Sequence, residues 1–314
     1  MLHPVIAPIP VLPLPVMILA AGMGTRLAPL SSWRAKALVP IGDREALAHV
    51  VEGVRGVARV VVVNAHHRAD EVEAFARRTQ IAVSREEELL GTAGGVCAAG
   101  ALLGSGDVLV WNSDMIGPLD AARLVEAHAR ATAEGALATL AVRLCEAGTR
   151  GNVGLDEDGR VVRLRGETAV KDAKPEVRAA EFVGVHVVGE ELRRALPRAG
   201  CLVGDVYLPA MRRGGRIASI VIDAEMIDIG TPSEYVRANL RWLASRGMGS
   251  WCGDAASVAN GVTLDRAIVG EGACVVGLGR VESCVVWPGA EAVAPIADAI
   301  VTPNGLVRVE RLPR

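Results

Sequence analysis

From residue 16 onward, short uninterrupted apolar runs alternate with longer segments in which apolar residues recur at helical spacing. The apolar runs predict buried strands at residues 16–20, 57–64, 81–84, 107–112 and 137–143. The helical spacing predicts helices at residues 46–54, 69–78, 94–103 and 119–134. Apolar strands separated by helices are typical of a sheet that is covered on both faces. The pattern therefore predicts an α/β, Rossmann-like fold with a mixed, mainly parallel sheet and helices on both faces.

The middle of the chain adds a β-hairpin to this pattern. Two short apolar runs, 153–155 and 161–164, flank the turn Asp156-Glu157-Asp158-Gly159, which is typical of a hairpin. Further strands are expected at 182–188, 217–222 and 225–229, and helices at 202–213 and 233–245. Pro232 and the Ser233–Glu234 pair are expected to open the last helix, since proline is favoured in the first helical turn.

The last part of the chain has a different pattern. Residues 258–302 are short valine and isoleucine steps with small residues between them, as in 268–275 and 285–293. Steps of about six residues of this kind are typical of a parallel β-helix, and about three coils would fit. We therefore predict a short, left-handed β-helix-like domain at 247–314. A few irregular strands packed on the main domain are the alternative.

The N-terminal segment is apolar but rich in proline. No charged residue stands between His3 and Arg26, a length that could span a bilayer. Prolines at positions 4, 8, 10, 13 and 15 remove backbone donors and prevent a regular helix there. A secretory signal would also need a basic start, which is absent. We expect an extended leader at 1–15, a first domain at 16–246, and a soluble, cytoplasmic protein with no membrane partner.

Composition narrows the function classes. The 314 residues carry a formal net charge of -2, whereas a protein that binds nucleic acid by bulk electrostatics is normally strongly basic. The six cysteines are scattered without a CxxC pair, which argues against a zinc site or a disulfide framework. Only three of the 34 basic residues are lysines: Lys36, Lys171 and Lys174. Coding bias explains the scarcity, but each lysine that remains is a position where an ammonium could be required.

The first chemistry-bearing stretch is a glycine loop directly after the first predicted strand. Gly22 and Gly24 let the backbone turn sharply and approach a ligand, and consecutive amides in such a loop can bind an anion. Arg26 adds a guanidinium suited to phosphate oxygens, and Lys36 follows ten residues later. The loop lacks the third glycine of a dinucleotide-binding fingerprint and the Gly-Lys-Ser/Thr of a P-loop. An ordinary turn and a solvated lysine are the alternatives.

Two further stretches have polar chemistry at the ends of predicted strands. Residues 88–96 form a small-residue turn into a helix, whose N-terminal amides could face an anion or a base edge. Asp114 follows the apolar strand 107–112, at the sheet edge where ligands of open α/β sheets bind. Its carboxylate is a candidate ligand of Mg²⁺, which prefers oxygen, or else a cap for the next helix.

Together these stretches resemble the signature of the sugar-phosphate nucleotidylyltransferases. The sequences LAAGMGTRLAPL and AKALVPIG are similar to that family's GxGTRLxPLT and PKxLxPI, with Ala35 in place of a proline. LLGTAGGV most resembles the mannose-1-phosphate guanylyltransferase branch and its heptose relatives, while WNSD and IDIGTP match the family's NGD and DIGTP motifs. Ser113 stands where the family has glycine.

The resemblance implies a role for each matching residue. Arg26 and Lys36 would be catalytic, countering the charge of the triphosphate, and Asp114 and Asp228 would hold Mg²⁺. The implied nucleotide-binding residues are Leu19, Ala20, Ala21, Gly22, Gly24, Thr25, Gly91, Thr92, Ala93 and Gly94. The implied reaction joins an NTP to a sugar-1-phosphate and releases pyrophosphate.

The sugar-phosphate side of the resemblance is weaker. Its candidates are Gly151, Arg165, Glu167 and Gly184. The family usually has a Glu-Lys-Pro motif where this chain has Arg165-Gly166-Glu167, so Arg165 could supply the countercharge as a planar fork. Lys171 or Lys174 could also reach this site, although a solvated loop is the alternative for both.

We expect an enzyme that uses GTP with mannose- or heptose-1-phosphate. A uridylyltransferase acting on N-acetylmuramate-1-phosphate or another hexose-1-phosphate is an alternative, since such relatives also lack Glu-Lys-Pro. A catalytically silent subunit that binds a nucleotide-sugar is a second alternative. The expected partners are the NTP and the sugar-1-phosphate, with neither nucleic acid nor membrane. The β-helix-like tail leaves a homo-oligomer open.

Overall fold

A computed structural model describes residues 13–146, 148–168 and 174–311. Residues 1–12 of the predicted leader therefore lie outside the described residues. Its last two residues, Leu14 and Pro15, belong to the first strand, Leu14–Leu19, which begins two residues before the predicted start. Within the described ranges, no helix has the length and apolar character needed to cross a bilayer.

The main sheet has ten strands in the described part of the chain. Eight of them lie side by side in the order Glu167–Thr168, Val161–Leu164, Val153–Leu155, Arg178–Val188, Val108–Asn112, Leu14–Leu19, Ala58–Ala65 and Ala82–Arg85. The other two are Ala136–Leu144, which pairs with Arg178–Val188, and Arg216–Val221, which pairs with Ala136–Leu144.

The central strands give the sheet its mainly parallel character. Leu14–Leu19 is parallel to both of its neighbours, Ala58–Ala65 and Val108–Asn112. Arg178–Val188 pairs antiparallel with Val108–Asn112 and with Ala136–Leu144, and the strands from Val153 to Thr168 continue the antiparallel part of the sheet. The predicted fold class, a mixed and mainly parallel α/β sheet, is confirmed.

Helices cover both faces of this sheet. The α-helices are Leu30–Trp33, Ala46–Val54, Ala69–Thr79, Gly91–Ala98, Gly100–Leu103, Ala121–Ala133, Glu190–Arg194, Leu208–Arg212 and Pro232–Ser245. Val16 and Ile18 pack in one buried cluster with Leu47 and Phe75, whereas Met17 packs in another with Val96. Because successive side chains of a strand point to opposite faces, the buried run of the first strand requires a helical layer on each side.

Two short ribbons lie beside the main sheet. Met115–Ile116 pairs antiparallel with Ile227–Asp228, and Pro40–Ile41 pairs antiparallel with Arg44–Glu45. The first ribbon matters for the site, since it brings two distant parts of the chain together.

The C-terminal part is built of coils whose strands pair in parallel. Its strands are Trp251–Cys252, Ser257–Val258, Val262–Asp265, Ile268–Val269, Cys274–Val286, Glu291–Thr302 and Gly305–Arg308. Residues 17 positions apart lie in register, as Val258 does with Val275 and Ile268 with Val285. Only the last strand, among those described, pairs antiparallel. The coils agree with a β-helix-like extension, and its left-handed sense stays a prediction.

Some element bounds differ from those predicted. The helix expected at 94–103 is two helices, which start at Gly91 and Gly100. The helix expected at 202–213 is a π-helical segment, Leu202–Tyr207, followed by Leu208–Arg212. Pro209 lacks a backbone N–H and cannot continue one hydrogen-bonding pattern through this point. The last helix is capped by Thr231, whose hydroxyl accepts from the Glu234 N–H at 3.2 Å, and not by Ser233–Glu234.

Candidate active site

The glycine loop starts at the carboxyl end of the central strand Leu14–Leu19. The Leu19 carbonyl accepts from the Ser113 N–H at 3.0 Å, and the Ala20 N–H donates to Asn64 Oδ1 at 2.7 Å. Both neighbouring strands therefore hold the start of the loop. This places the loop at the sheet edge where open α/β sheets bind ligands.

Gly24 allows the loop to touch Lys36. Its φ is +64°, and a Cβ there would lie 3.1 Å from the Ser31 Cβ and 3.2 Å from the Lys36 Cβ. A larger residue at position 24 would be strained and would push Lys36 away. The glycine predicted for a sharp turn thus has a second effect, which is to seat the lysine against the loop.

Four charged side chains meet beside this loop. Lys36 Nζ lies 2.6 Å from Asp114 Oδ2 and 3.7 Å from Asp228 Oδ1, and Arg26 Nη2 lies 3.2 Å from Asp228 Oδ2. The Lys36 side chain is 13% exposed, whereas that of Arg26 is 66% exposed. The lysine is thus fixed between the carboxylates, and the arginine stands at the mouth of the cleft.

The short ribbon explains how Asp114 and Asp228 meet. Asp228 lies opposite Met115 in register, and the Ile229 N–H donates to the Asp114 carbonyl at 3.0 Å. Gly230 keeps the approach open, since a Cβ there would lie 2.7 Å from Arg26 Nη2. The two carboxylates, 114 positions apart in sequence, are therefore brought to Lys36 by backbone pairing.

The small-residue motif forms the helix Gly91–Ala98 and packs tightly on the segment 198–202. A Cβ on Gly91, whose φ is +73°, would lie 2.4 Å from the Gly200 carbonyl oxygen. The Thr92 hydroxyl accepts from the Leu202 N–H at 2.8 Å. Thr92 lines a cleft that also contains Arg165 and Gly184, while Ala93 and Gly94 are buried.

A buried polar pair connects this helix with the glycine loop, and sequence reasoning missed it. Asn64 Nδ2 donates to Glu86 Oε1 at 2.7 Å, while Asn64 Oδ1 holds the Ala20 N–H. Glu86 Oε2 accepts from the Leu90 N–H at 3.2 Å. The sequence did offer an indication of Asn64, since this polar residue ends a predicted apolar strand. Asn112 ends the predicted strand 107–112 in the same way, and Asp114 follows it.

Two of the adjoining clefts at this sheet edge contain most of the predicted site residues. The first, of about 220 Å³, is lined by Leu19, Ala20, Gly22, Gly24, Thr25, Arg26, Lys36, Ser113, Asp114 and Gly230. The second, of about 320 Å³, shares Leu19, Arg26 and Asp114 with the first and extends to Arg165, Phe182 and Gly184. We refer to them as the loop cleft and the distal cleft.

The predicted sugar-phosphate residues divide into two groups. Arg165 and Gly184 line the distal cleft. Gly151 instead packs below the Ala180 carbonyl, where a Cβ would lie 2.4 Å from the oxygen, and Glu167 forms an ion pair with Arg212. Neither of these two lines a cleft described above.

Of the two remaining lysines, Lys174 does not line either of these clefts. Lys174 Nζ pairs with Glu157 at 2.6 Å and with Asp158 at 2.7 Å, on the turn of the hairpin. Lys171 lies outside the described residues. The solvated alternative therefore fits Lys174, and Arg26 and Arg165 are the cations that line the distal cleft.

The distal cleft also contains polar residues that the sequence did not single out. Asn112, Asn152, His186 and Cys201 line it, and Arg165 Nη2 lies 3.2 Å from Cys201 Sγ. Phe182, Gly184 and His186 alternate along one strand, so a period-two pattern starting from Gly184 could have found His186.

Asp114 and Asp228 fit a divalent cation. Asp228 Oδ1 is buried and has no hydrogen-bond partner among the described residues, although it lies beside Asp114 and Lys36. No group of three or more His, Cys, Asp or Glu side chains that could hold a metal occurs in the described ranges. Substrate oxygens and water would therefore complete the shell, as Mg²⁺ usually requires.

The open sheet, the glycine loop and the paired charges at the strand ends define an α/β protein that binds a phosphorylated ligand. Residues 15–245 match the model of the family described as Nucleotidyl transferase, and the chain belongs to this family.

Several relatives are named as sugar-phosphate enzymes. An N-acetylmuramate alpha-1-phosphate uridylyltransferase from Caulobacter vibrioides is 32% identical over 72% of this chain and 95% of its own length. A probable mannose-1-phosphate guanylyltransferase from rice, Oryza sativa subsp. japonica, is 28% identical over 87% of this chain and 78% of its own length. The chain is accordingly an enzyme of the sugar-1-phosphate nucleotidylyltransferase kind.

A solved structure supports the fold. HddC from Yersinia pseudotuberculosis, complexed with GMP-PN, matches with a TM-score of 0.58 and covers 73% of this chain and 99% of that one. At 20% sequence identity this likeness concerns the fold alone.

Proposed function

We propose that the chain transfers a nucleotidyl group from an NTP to a sugar-1-phosphate, with the NTP in the loop cleft and the sugar-1-phosphate in the distal cleft. The observation that carries this proposal is the position of Lys36, held between Asp114 and Asp228 and packed against Gly24. A partly buried ammonium next to a glycine loop and two carboxylates suits a chelated phosphate chain better than a neutral ligand.

The reaction needs no protein base. A sugar-phosphate oxygen, already anionic, attacks the α-phosphorus in line; one P–O bond forms while the bond to pyrophosphate breaks. Catalysis is then mostly positioning and charge neutralisation. Lys36 would steady the α-phosphate, and Arg26 at the mouth would neutralise the departing pyrophosphate.

Asp114 and Asp228 would hold Mg²⁺. The ion would neutralise phosphate charge and orient the reacting oxygens. The buried Asp228 Oδ1, which has no hydrogen-bond partner among the described residues, supports this assignment.

Two donor and acceptor pairs are supported by specific observations. The LLGTAGGV motif and the rice relative favour GTP with mannose- or heptose-1-phosphate. The Caulobacter relative and the lack of Glu-Lys-Pro favour UTP with N-acetylmuramate-1-phosphate. We further expect a cytoplasmic enzyme. A measurement of the molecular mass in solution tests whether the protein forms a homo-oligomer.

Pyrophosphate release tests the proposal. We expect turnover in a grid of NTPs and sugar-1-phosphates with Mg²⁺, with one of the two pairs far above the rest. An absence of turnover in every pair, combined with tight binding of an NDP-sugar, would favour the silent regulatory subunit instead.

The metal assignment is tested by Asp114→Asn. Because the amide keeps the shape but loses the charge, kcat/KM should fall by about 100-fold or more, and the Mg²⁺ requirement should rise. The exposed Asp223, which lines neither cleft, provides a matched control, and Asp223→Asn should retain activity. Equal activity of the two variants in a Mg²⁺ titration would mean that Asp114 is not the ligand.

A further inference from the structure

His186 is a buried histidine whose ring nitrogens have no partner in the described part of the chain. It lies in the strand Arg178–Val188, is 3% exposed and lines the distal cleft. Neither Nδ1 nor Nε2 forms a hydrogen bond among the described residues. Nearly all buried polar groups in native proteins are hydrogen-bonded, so an imidazole with two free nitrogens needs an explanation.

The contrast with His128 shows that the fold can satisfy a buried histidine. His128 is 1% exposed, and its ring nitrogens lie 3.0 Å from the Thr139 hydroxyl and 3.2 Å from the Thr132 hydroxyl. Asp107 also lies 3.3 Å from its Nε2. His128 is thus used by the structure itself, whereas the nitrogens of His186 are not.

The packing of His186 requires a flat ring but no nitrogen. Its ring stacks on Phe182 at a centroid distance of 5.2 Å and meets Tyr207 edge-on at 5.6 Å. A phenylalanine would provide the same contacts without leaving polar atoms unsatisfied. The nitrogens are therefore retained at a cost in stability, and the cleft is where a ligand could use them.

The imidazole of His186 is neutral. Burial lowers the pKa of His186 to about 3, so the ring carries no charge near pH 7. It cannot provide the phosphate countercharge, which in this cleft falls to Arg165 and Arg26. A neutral imidazole has one donor and one acceptor, which suits an uncharged polar group.

We propose that His186 is a specificity-determining residue that hydrogen-bonds an uncharged substituent, a hydroxyl or an acetamido group, on the ring of the sugar-1-phosphate. This inference rests on the proposed function and names the part of the substrate that the distal cleft recognises. Asn112 and Asn152 line the same cleft and add amide groups of the same neutral character. Phosphate and sugar ring are thus recognised by different residues.

The test compares His186→Phe with the wild-type enzyme on its best sugar-1-phosphate. KM for the sugar-1-phosphate should rise about 10-fold, the equivalent of about one hydrogen bond, while kcat and KM for the NTP stay within about twofold. The melting temperature of the ligand-free variant should be unchanged or higher, because two unsatisfied atoms are removed. A structural role would instead lower the melting temperature.

Three further variants and substrates sharpen this test. His186→Gln, which keeps a donor and an acceptor, should recover part of the affinity and serves if the phenylalanine variant fails to fold. His128→Phe should lower the melting temperature and leave KM for the sugar-1-phosphate unchanged. Among deoxy analogues of the sugar-1-phosphate, one should have a higher KM than the parent substrate with the wild-type enzyme. With His186→Phe, the same analogue and the parent substrate should have equal KM values.

Binding measurements separate a failure of this inference from a failure of the proposed function. If the wild type turns over no pair, calorimetric titration with the sugar-1-phosphates still compares it with His186→Phe. An unchanged dissociation constant or KM for every sugar-1-phosphate, or no binding of any of them to the wild type, would overturn the role of His186. Weaker binding by the variant would support it.

Discussion

Lys36 shows at the scale of one residue why an ammonium is used in a chain that otherwise uses arginine. Its Nζ lies between Asp114 and Asp228 with 13% of the side chain exposed, and its Cβ abuts the glycine loop. A guanidinium is planar and larger, and it donates as a fork. The space beside Gly24 accommodates a compact charge, so arginine is a poor substitute there despite having the same sign.

The first residue-scale prediction is that Lys36→Arg lowers kcat by roughly 100-fold, as the loss of one positioned donor to a reacting phosphate would. Lys174→Arg is the matched control. Lys174 is about half exposed and pairs with Glu157 and Asp158 on a surface turn, where ion pairs contribute little, so activity should stay within about twofold. Pyrophosphate release under saturating substrates measures both. A Lys36→Arg variant with full activity would remove the lysine from the chemistry.

Charged residues at motif positions were predictable, and buried polar residues outside the motifs were not. Arg26, Asp114 and Asp228 stand near glycines or at strand ends, where a charge has few structural uses, and Lys36 follows Arg26 by ten residues. Glu86 and His186 lie in stretches whose pattern is equally typical of ordinary surface loops and core strands. The period-two spacing from Gly184 could indicate that His186 shares its side of the strand, but the roles of both residues depend on what another part of the chain places opposite them.

The helix Gly91–Ala98 shows how an element can position a loop from which it is separated in sequence. Gly95 lies against the Asn64–Glu86 pair: a Cβ there would lie 2.7 Å from Asn64 Nδ2 and 2.9 Å from Glu86 Oε1. Asn64 in turn holds the Ala20 N–H at the start of the glycine loop. The helix, the polar pair and the loop are therefore connected by direct contacts, and a methyl group at position 95 would disturb all three.

At the element scale we therefore predict that Gly95→Ala destabilises the protein and lowers kcat/KM for the NTP by about 10- to 100-fold. Alanine normally stabilises a helix by about 0.5–1 kcal/mol relative to glycine, so the sign would be reversed. Gly100→Ala is the control, because a Cβ at Gly100 meets nothing within 4 Å. It should raise the melting temperature slightly and leave kinetics unchanged. A similar gain in both variants would mean that the polar pair is not tightly held.

Element types were predicted better than element ends. The helix at 46–54 was found with its bounds, since its apolar spacing ends where its packing ends. The predicted start at 94 was wrong, because the segment from Gly91 onward packs on the segment 200–202: the Ala93 N–H donates to the Gly200 carbonyl at 2.9 Å, and the Leu202 N–H donates to the Thr92 hydroxyl. A contact between segments about 110 residues apart does not change the spacing of apolar residues in either segment, so the sequence pattern does not indicate it.

At the scale of the whole molecule, the C-terminal coils are joined to the nucleotidyl transferase domain by a shared core. Leu27, Leu30 and Val39, which surround the glycine loop and Lys36, belong to the same buried cluster as Val275, Val285 and Ile300 of the coils. The helix Pro232–Ser245 packs between these parts and contributes Tyr235 and Trp242. The coils therefore pack against residues that flank the glycine loop. We expect their removal to alter the active site as well as to lower the stability of the protein.

The last prediction tests this coupling with the only two tyrosines of the chain, both fully buried. The Tyr235 hydroxyl donates to the Pro40 carbonyl at 2.6 Å and accepts from Trp287 Nε1 of the coils at 2.9 Å, whereas the Tyr207 hydroxyl has no partner among the described residues. Tyr235→Phe should lower the free energy of unfolding by about 1–3 kcal/mol, because it strands the buried indole N–H. Tyr207→Phe removes an unsatisfied hydroxyl and should be neutral or stabilising. Urea unfolding measures both, and equal losses would show that the bond from Trp287 does not couple the coils to the rest.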